Sequence, residues 1–224
     1  KTLAIGNIAN NENSKDFSNK KLKDTILLIS QWVEGNSKDN KILMLLFGFL
    51  KNYADKKNKK LGILLRKNNY NEKFFFESDP GENFHFIKKN NSKNSYYWID
   101  RYETTVTIDS TLGYESLSRG NKTIFFNIRS NYNENKGYSF GWPNIFSKKG
   151  IIWTDENDIN YFEKILNNTF QISDENFKAQ IEKNKLNNLM LYDKDNLLLK
   201  NFLKKIFKKL DIWKTRKVKN EKIN

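Results

Sequence analysis

Short apolar runs alternate along the chain with longer segments in which apolar residues recur every three or four positions. Four runs are rich in β-branched or aromatic residues and have the length of buried strands: residues 26–30, 61–65, 104–108 and 123–126. Helical spacing follows the first run, over about 41–57, and returns after a last short strand at 151–153. This alternation predicts an α/β fold, a parallel sheet with helices on both faces.

The segments between these elements carry weaker signals. Residues 70–76 and 84–88 are Phe-rich and could be short strands or an irregular excursion, and 96–101 fits a helical turn. Residues 131–149 have the pattern of one long loop, and loops of that length are more often functional than idle. Two further helices follow, and their expected caps are Thr154 or Asp155 for the first and Ser173 or Asp174 for the second.

The pattern divides the chain into three regions. Residues 1–24 are polar and Asn-rich and predict a connector from a preceding N-terminal domain, since the chain opens on Lys1 and is expected to be a fragment. Residues 25–172 carry the alternating pattern and predict the α/β domain. Residues 173–224 predict C-terminal helices and a basic tail.

The C-terminal region contains an amphipathic pattern. Between 197 and 213, apolar side chains recur at helical spacing and lysines occupy the opposite face. The apolar positions are Leu199, Phe202, Leu203, Ile206, Phe207 and Leu210, and the lysines are Lys200, Lys204, Lys205, Lys208 and Lys209. A basic amphipathic helix can lie on anionic lipid, or it can pack its apolar face on the domain. The pattern leaves both interpretations open.

Composition narrows the function classes. The net charge of +14 favours an anionic partner, such as nucleic acid, a membrane surface or a phosphorylated substrate. The absence of cysteine excludes disulfides and thiolate metal sites, and a single histidine argues against a His-based zinc site. Residues 1–20 lack the apolar core of a secretory signal, and the longest apolar run, 42–50, is shorter than the roughly 20 residues that span a bilayer. These features predict a cytoplasmic protein.

Residues 109–120 hold the strongest candidate chemistry. They begin where the third predicted strand ends and pass through Ser110, Thr111 and Gly113 into a short helix, which forms a βαβ unit with the next strand. Ligands bind at the carboxyl ends of parallel strands, and a helix N-terminus there favours an anion such as phosphate. Glu115, one turn further, is placed to accept hydrogen bonds from sugar hydroxyls. The same Asp-Ser-Thr sequence is also typical of an ordinary N-cap, and spacing alone favours neither interpretation.

Several short motifs follow one another in an order typical of one group of enzymes. They are Asp109-Ser-Thr-Leu-Gly-Tyr-Glu115, Arg119-Gly120, the Phe125-Phe126 strand, Arg129 and Phe140-Gly-Trp-Pro143. Together they resemble the C-terminal half of bacterial surface-carbohydrate biosynthesis proteins, which are O-antigen or capsule glycosyltransferases of the GT-B type related to the Kdo transferases. The similarity runs from about 25 to about 172 and is most specific between 109 and 143.

The resemblance implies a Rossmann-like domain that holds a nucleotide-sugar donor, with CMP-Kdo as the candidate, and a saccharide or lipid-linked acceptor. It implies phosphate and ribose contacts for Ser110, Thr111, Gly113 and Glu115. It also implies that no metal is needed, because backbone dipoles and cationic side chains neutralise the leaving phosphate. The catalytic base in this class belongs to the N-terminal domain, so none is assigned. Related CMP-sugar enzymes often carry a His-Pro pair where residues 65–67 are Leu-Arg-Lys, which leaves the nucleotide open.

Further candidates lie at other predicted strand ends. Arg66 and Arg129 each follow a strand and could clamp a diphosphate or a sugar carboxylate, or simply be surface arginines. Arg119 flanks the short helix, where a structural and a phosphate-binding role are equally open. The weaker candidates are Asp109, which could be a catalytic carboxylate or a cap, His85 in its alternating segment, and Trp142, which could stack on a base or sugar.

Two other function classes compete with the glycosyltransferase interpretation. A nucleotide-sugar 2-epimerase shares the two-domain architecture but needs several carboxylates and a histidine near the sugar ring, and the chain offers few. A basic nucleic-acid-binding protein fits the charge and the 14% aromatic content. No nucleic-acid-binding module is recognisable, however, and nucleic acid is not expected as a partner. The phosphate-binding P-loop and the Gly-x-Gly-x-x-Gly dinucleotide fingerprint are both missing.

Overall fold

A computed structural model describes residues 4–13, 21–35, 38–78, 84–90, 93–131, 139–144 and 146–209. The strands within these ranges are β1 (Leu22–Ile29), β2 (Lys60–Leu64), β3 (Phe84–Phe86), β4 (Tyr102–Thr107), β5 (Lys122–Phe126), β6 (Lys149–Gly150) and β7 (Trp153–Thr154). They form one sheet in the order β3-β2-β1-β4-β5-β7-β6. All neighbouring strands are parallel except β6, which is antiparallel to β7. The predicted parallel α/β sheet is confirmed.

Helices fill most of the connections between the strands. They are α1 (Ile8–Glu12), α2 (Lys38–Lys56), α3 (Tyr70–Glu77), α4 (Ser95–Arg101), α5 (Thr111–Ser118), α6 (Ile159–Gln171), α7 (Asp174–Lys183) and α8 (Leu197–Lys209). Short 3-10 turns occur at Ile128–Asn131, Leu186–Asn188 and Lys194–Asn196. None of the helices that the structure describes is both long enough and apolar enough to cross a membrane.

Most of the expected elements are confirmed, and the exceptions have local causes. The four predicted strands correspond to β1, β2, β4 and β5, and the second Phe-rich segment supplies β3. The expectation of a strand or irregular chain at 70–76 is wrong, because Asn69 caps α3 by accepting a hydrogen bond from the Glu72 backbone N–H at 2.9 Å. Aromatic residues favour strands, but here the Asn69 cap and the burial of Phe76 stabilise a helix.

The two later helices differ from expectation mainly at their ends. The cap of α6 is Asp158, not Thr154 or Asp155, and its Oδ1 accepts from the Tyr161 N–H at 2.9 Å. Ser173 caps α7 as predicted, although that helix ends at Lys183 rather than near 189. Part of the predicted loop at 131–149 and the end of the C-terminal helix and tail, residues 210–224, lie outside the described residues.

The order of the strands reverses at the centre of the sheet. Strand β1 lies between β2 and β4, with Ile26 opposite Leu61 on one side and Thr104 on the other. The chain winds outward from β1 through β2 to β3, then returns to β4 and winds outward again through β5 to β7. This is the doubly wound, Rossmann-type arrangement, in which ligands bind at the carboxyl ends of the strands where the winding reverses.

Both faces of the sheet are buried. Successive residues of β1 point to opposite faces, so Ile26 and Leu28 join a core cluster with α2 and α6, whereas Leu27 and Ile29 join a second cluster with α4. All four side chains are at most 4% exposed. Burial of such a side chain stabilises the fold by about 1.5–3 kcal/mol, so this central strand is a major contributor to stability.

The chain forms two compact units, one of residues 15–190 and one that joins 1–14 to 191–224. In the smaller unit, the Asn11 side chain connects three segments. It donates to the Ile5 carbonyl at 2.7 Å and to Asn196 Oδ1 at 2.9 Å, and it accepts from the Asp193 N–H at 2.8 Å. The boundaries predicted at 24/25 and 172/173 stay predictions, and α7 belongs to the larger unit.

Two helical glycines provide a matched test of packing. A Cβ atom at Gly113 in α5 would lie 2.6 Å from Thr107 Cγ2 and 3.1 Å from Phe125 Cε1, whereas one at Gly48 in α2 would meet nothing within 4 Å. We expect Gly113→Ala to lower the free energy of unfolding by about 1–3 kcal/mol, and Gly48→Ala to raise it by about 0.5–1 kcal/mol. Urea unfolding measures both, and equal effects would contradict the close approach of α5 to the sheet.

Candidate functional site

A cleft of about 440 Å³ lies at the carboxyl edge of the sheet, where the winding reverses. It is lined by residues 29–31 after β1, 64–66 at the end of β2 and 109–112 after β4, together with Lys89, Ser95 and Arg129. The sequence analysis placed Ser110, Thr111, Arg66, Arg129 and Asp109 at this edge, and the structure brings all five together around the cleft. This is the position at which doubly wound sheets bind their ligands.

A second cavity has a similar volume, about 420 Å³, and lies between α6, α7 and residues 150–152. None of its described lining residues lines the cleft, and Lys164 is the one charged residue among them. Volume does not separate the two cavities, so the chemistry of the lining decides. Convergent polar and charged groups mark a binding site, and these favour the cleft at the strand ends.

Helix α5 begins at the cleft with exposed hydrogen-bonding capacity. Ser110 is its N-cap residue, but the Ser110 hydroxyl makes no capping hydrogen bond. The Gly113 N–H donates to the Ser110 carbonyl at 2.8 Å, whereas the N–H groups of Thr111 and Leu112 have no acceptor among the residues that the structure describes. The simple N-cap interpretation therefore fails for the Ser110 side chain. Unpaired N–H groups and the positive end of the helix dipole favour an anion there.

Gln31 holds the turn between β4 and α5. Its side-chain Oε1 accepts hydrogen bonds from the Asp109 N–H at 2.7 Å and from Thr107 Oγ1 at 3.1 Å. Thr107 Oγ1 in turn accepts from the Ser110 N–H at 3.3 Å. Gln31 thus connects the end of β1 to the end of β4 across the switch point. The sequence analysis did not include Gln31 in the site.

Glu72 connects the ends of β1 and β2 in the same way. Its fully buried carboxylate accepts from the N–H groups of Arg66, Lys67 and Asn68 at 2.7–2.9 Å and from the Ser30 hydroxyl at 2.6 Å. Hydrogen bonds to a carboxylate are roughly twice as strong as neutral ones, so the turn that carries Arg66 is rigid. The Asn-x-x-Glu spacing from Asn69 to Glu72 is a capping signal that could have indicated this role.

Three cationic side chains surround the cleft. Arg129 is held by Asp39 at the start of α2, with 3.1 Å between Arg129 Nε and Asp39 Oδ1. Lys89 Nζ donates to the Leu65 carbonyl at 2.8 Å, and Arg66 is exposed at the cleft rim. Lys89 was not anticipated from the sequence. The Asp39 carboxylate offsets Arg129, but Arg66 and Lys89 still exceed the single carboxylate among the described lining residues, that of Asp109, so the cleft has an electropositive excess.

Asp109 lies in a buried polar network behind the cleft. The Tyr114 hydroxyl donates to Asp109 Oδ1 at 2.6 Å and accepts from the Gly141 N–H at 2.9 Å. Burial raises the pKa of Asp109 to about 6, although the Tyr114 hydrogen bond and Arg129 oppose the rise. Burial likewise raises the pKa of Asp155 to about 7, against the hydrogen bond from the Phe140 N–H. Asp109 therefore lines the cleft as a carboxyl group whose pKa lies well above that of a free aspartate.

Gly113 and Glu115 occupy structural positions outside the cleft lining. Gly113 allows α5 to approach Thr107 and Phe125. Glu115 is 4% exposed and forms a hydrogen bond with the Tyr96 side chain. Burial, helped by this carboxylate, raises the pKa of Tyr96 to about 12. The predicted donor-binding role of these two residues stays a prediction.

Arg119 is part of a buried ion pair. Its guanidinium binds both oxygens of the Asp100 carboxylate, with 3.0 Å between Arg119 Nε and Asp100 Oδ1, and Asn121 donates to the same carboxylate at 2.8 Å. The Arg119 side chain is fully buried and lies over the Tyr96 ring. Because its donors are directed at Asp100, Arg119 ties α4 to α5, and the structure places it away from the cleft lining.

The two remaining weak candidates also lie elsewhere. His85 Nε2 is 2.8 Å from the Tyr102 hydroxyl, and burial together with Lys60 lowers the His85 pKa. It lines a different surface, beside Lys59 and Lys60. Trp142 is 63% exposed on the turn after Gly141, which is connected to Asp109 through Tyr114. Within the described ranges, no group of three or more His, Asp or Glu side chains could hold a metal ion.

These features define a class of protein, a Rossmann-type α/β domain with an electropositive cleft at its switch point. A family profile described as "putative O-antigen biosynthesis protein" matches residues 39–207, which is well over half of the chain. The chain belongs to this family of O-antigen biosynthesis proteins, which confirms the surface-polysaccharide resemblance.

Similarity to solved structures is weak in sequence. One is Thermosulfurimonas dismutans KpsC, "beta Kdo 2,4 transferase", at 12% identity and a TM-score of 0.36, covering 48% of this chain and 37% of KpsC. Another is the wall teichoic acid polymerase TagF, at 13% identity and a TM-score of 0.46, covering 92% of this chain and 46% of TagF. The chain spans less than half the length of these structures, and likeness at such scores carries no functional argument. No curated protein sequence matches the chain.

The raised carboxylate pKa values predict a loss of stability as pH rises. In the unfolded chain, aspartates titrate near pH 4, so between about pH 4 and pH 7 the folded protein binds more protons than the unfolded chain. The free energy of unfolding should therefore fall across this window, by on the order of 1–3 kcal/mol from Asp109. Asp109→Asn keeps an acceptor for the Tyr114 hydroxyl and removes the charge. The free energy of unfolding of this variant should therefore decline less as pH rises.

Urea unfolding of the wild type and of Asp109→Asn at pH 5 and pH 8 measures the difference. The lowered pKa of His85 acts in the opposite direction, because the unfolded chain then binds more protons near pH 6. That contribution is common to both proteins and cancels in the comparison. An equal decline in the two proteins would show that Asp109 is not the source of the pH dependence.

Proposed function

We propose that this chain is the nucleotide-sugar-binding part of a glycosyltransferase that builds cell-surface polysaccharide. The observation that carries the proposal is the convergence, at the switch point of the sheet, of an uncapped helix N-terminus and three cationic side chains. Such a site suits the phosphate groups of an activated sugar. Membership of an O-antigen biosynthesis family supplies the biological context. The donor class is a nucleotide sugar, with CMP-Kdo as the candidate.

In this proposal the cleft acts on the leaving nucleotide. Transfer breaks the bond between the anomeric carbon of the sugar and the phosphate oxygen, which leaves negative charge on the departing phosphate. The acceptor oxygen forms the new bond to that carbon and gives its proton to a base. The N–H groups of Thr111 and Leu112, together with Arg129 and Lys89, would stabilise that charge, so the step requires no metal. Preorganised donors contribute more than water can, because they need no reorganisation as the charge develops. The acceptor is a saccharide or a lipid-linked sugar, and the base that activates it is not assigned to this chain.

Nucleotide binding tests the proposal directly. We expect CMP, CDP or UDP to bind with an affinity that weakens moderately with salt, measured by calorimetry or NMR titration at two ionic strengths. Failure of the folded chain to bind any of these at millimolar concentration would exclude the proposed function. Binding of single-stranded RNA with a steep salt dependence and no preference among nucleotides would instead favour the nucleic-acid alternative.

Substitutions can separate the predicted contact of Glu115 with the nucleotide from its hydrogen bond with Tyr96. If its carboxylate holds ribose hydroxyls, Glu115→Ala should weaken nucleotide binding by about 1–3 kcal/mol, since a buried polar partner is then left unpaired. Tyr96→Phe is the matched control, because it removes the hydrogen bond to Glu115 but keeps the carboxylate. Its affinity should stay close to that of the wild type. Equal affinity of folded Glu115→Ala would remove Glu115 from the site.

We further propose that the protein is cytoplasmic and binds the inner face of the cytoplasmic membrane through α8. Leu198, Phe202 and Leu203 are 43%, 42% and 38% exposed, and Lys200 and Lys204 are exposed on the same helix, which contains no acidic residue. Apolar side chains beside lysines suit an anionic lipid surface, where each lysine contributes about 1 kcal/mol.

Vesicle co-sedimentation checks this location. We expect the chain to bind phosphatidylglycerol vesicles, to bind less at high salt, and to lose binding when Phe202 and Leu203 are both changed to Ser. Deletion of residues 197–224 should abolish binding without lowering the melting temperature of the rest. Unchanged vesicle binding after truncation, or unfolding of the truncated chain, would contradict the anchor.

A further inference from the structure

The orientation of the Gln31 carboxamide follows from its hydrogen bonds. One terminal atom lies 2.7 Å from the Asp109 backbone nitrogen and 3.1 Å from Thr107 Oγ1. A backbone N–H can only donate, so the atom that meets it must be the carboxamide oxygen Oε1. The other terminal atom is therefore the nitrogen Nε2, which carries two N–H donors. The hydrogen bond thus distinguishes the two orientations of the amide that are related by a flip.

The Nε2 group is available to a ligand. Gln31 lines the cleft, and within the described part of the chain no group accepts a hydrogen bond from Nε2. The acceptor side of the carboxamide is already used by the turn before α5. The carboxamide is half-buried and open to the cleft, so an acceptor of a bound ligand can replace the water that meets this donor.

The neighbours of Nε2 indicate what that acceptor is. The same cleft is lined by residues that carry other donors and cations, namely the Thr111 and Leu112 N–H groups, Arg129 and Lys89. The one carboxylate in the described lining, Asp109, accepts a hydrogen bond from Tyr114. A surface composed mainly of donors suits a ligand group with several acceptor oxygens and negative charge, and a phosphate has both properties.

We propose that Gln31 Nε2 donates a hydrogen bond to a phosphate oxygen of the bound nucleotide and so makes the cleft selective for phosphorylated ligands. The proposal rests on the proposed function, since it concerns the same cleft. Gln31 then has two roles in one side chain. Its oxygen positions the turn at Asp109, and its nitrogen contacts the ligand.

Gln31→Glu separates these two roles. The substitution keeps an oxygen that can accept from the Asp109 N–H and from Thr107, so the turn is retained, but it replaces the donor with an acceptor. The measurement is the ratio of the dissociation constants of cytidine and CDP, and of uridine and UDP, obtained by NMR titration at pH 8 so that the new carboxyl is ionised. This ratio reports the contribution of the phosphates alone. We expect it to fall by roughly 10-fold or more, with nucleoside affinity unchanged.

Two further variants keep the test decisive. Gln180→Glu adds the same charge on an exposed face of α7, and its ratio should equal that of the wild type. Gln31→Met removes donor and acceptor together, so it should lower the ratio too, with some loss of stability. An unchanged ratio in folded Gln31→Glu, or an equal loss of nucleoside and nucleotide affinity, would overturn the inference while leaving the proposed function intact. Failure of the wild type to bind any nucleotide would overturn both.

Discussion

The reversal of winding between β1 and β4 is the constraint on which the rest of the structure depends. The two strands are parallel neighbours, yet the helices that follow them cover opposite faces, because α2 packs with Ile26 whereas Leu112 at the start of α5 packs with Leu27. Two chain segments that leave adjacent strand ends in opposite directions cannot both cover the gap between those ends. The cleft is therefore a result of topology. Side chains determine only what the cleft binds, and polar residues stand at two of the places where the chain passes its edge, Ser30 and Gln31 after β1 and Ser110 after β4.

Two turns at this edge present backbone N–H groups, and the protein uses them differently. After β2, three successive N–H groups converge on the buried carboxylate of Glu72, so the negative charge comes from the protein itself. The result is a rigid turn, since loss of that carboxylate would leave three donors and the Ser30 hydroxyl unsatisfied. After β4, the first N–H groups of α5 have no such partner among the described residues. The contrast locates the anion-binding capacity on the β4 side of the switch point, beside Arg129.

The parts of this structure that sequence predicts are those determined by local patterns. Buried parallel strands need continuous apolar runs, and 26–30, 61–65, 104–108 and 123–126 supply them, so the sheet and the position of Ser110 at its edge could be predicted. Contacts between distant residues could not. Glu72 reaches Ser30 across 42 positions, and Gln31 reaches Asp109 across 78, and no spacing rule connects such pairs. Arg119 shows the same limit, because its sequence setting permits a phosphate contact and only the fold reveals Asp100 as its partner.

The turn at residues 139–144 gives the protein an optical property. Among the tryptophans in the described residues, Trp32 and Trp153 are 5% and 6% exposed, whereas Trp142 is 63% exposed. Trp153 is also stacked on Phe140, with ring centroids 4.5 Å apart. Among these described tryptophans, Trp142 is therefore the one whose emission is most open to water and to collisional quenchers. Its neighbour Gly141 is hydrogen-bonded to the Tyr114 hydroxyl, and that hydroxyl to Asp109 at the cleft. The chain thus carries an intrinsic fluorophore whose neighbour Gly141 is two hydrogen bonds from Asp109, so its emission offers a label-free signal for binding in the proposed ligand cleft.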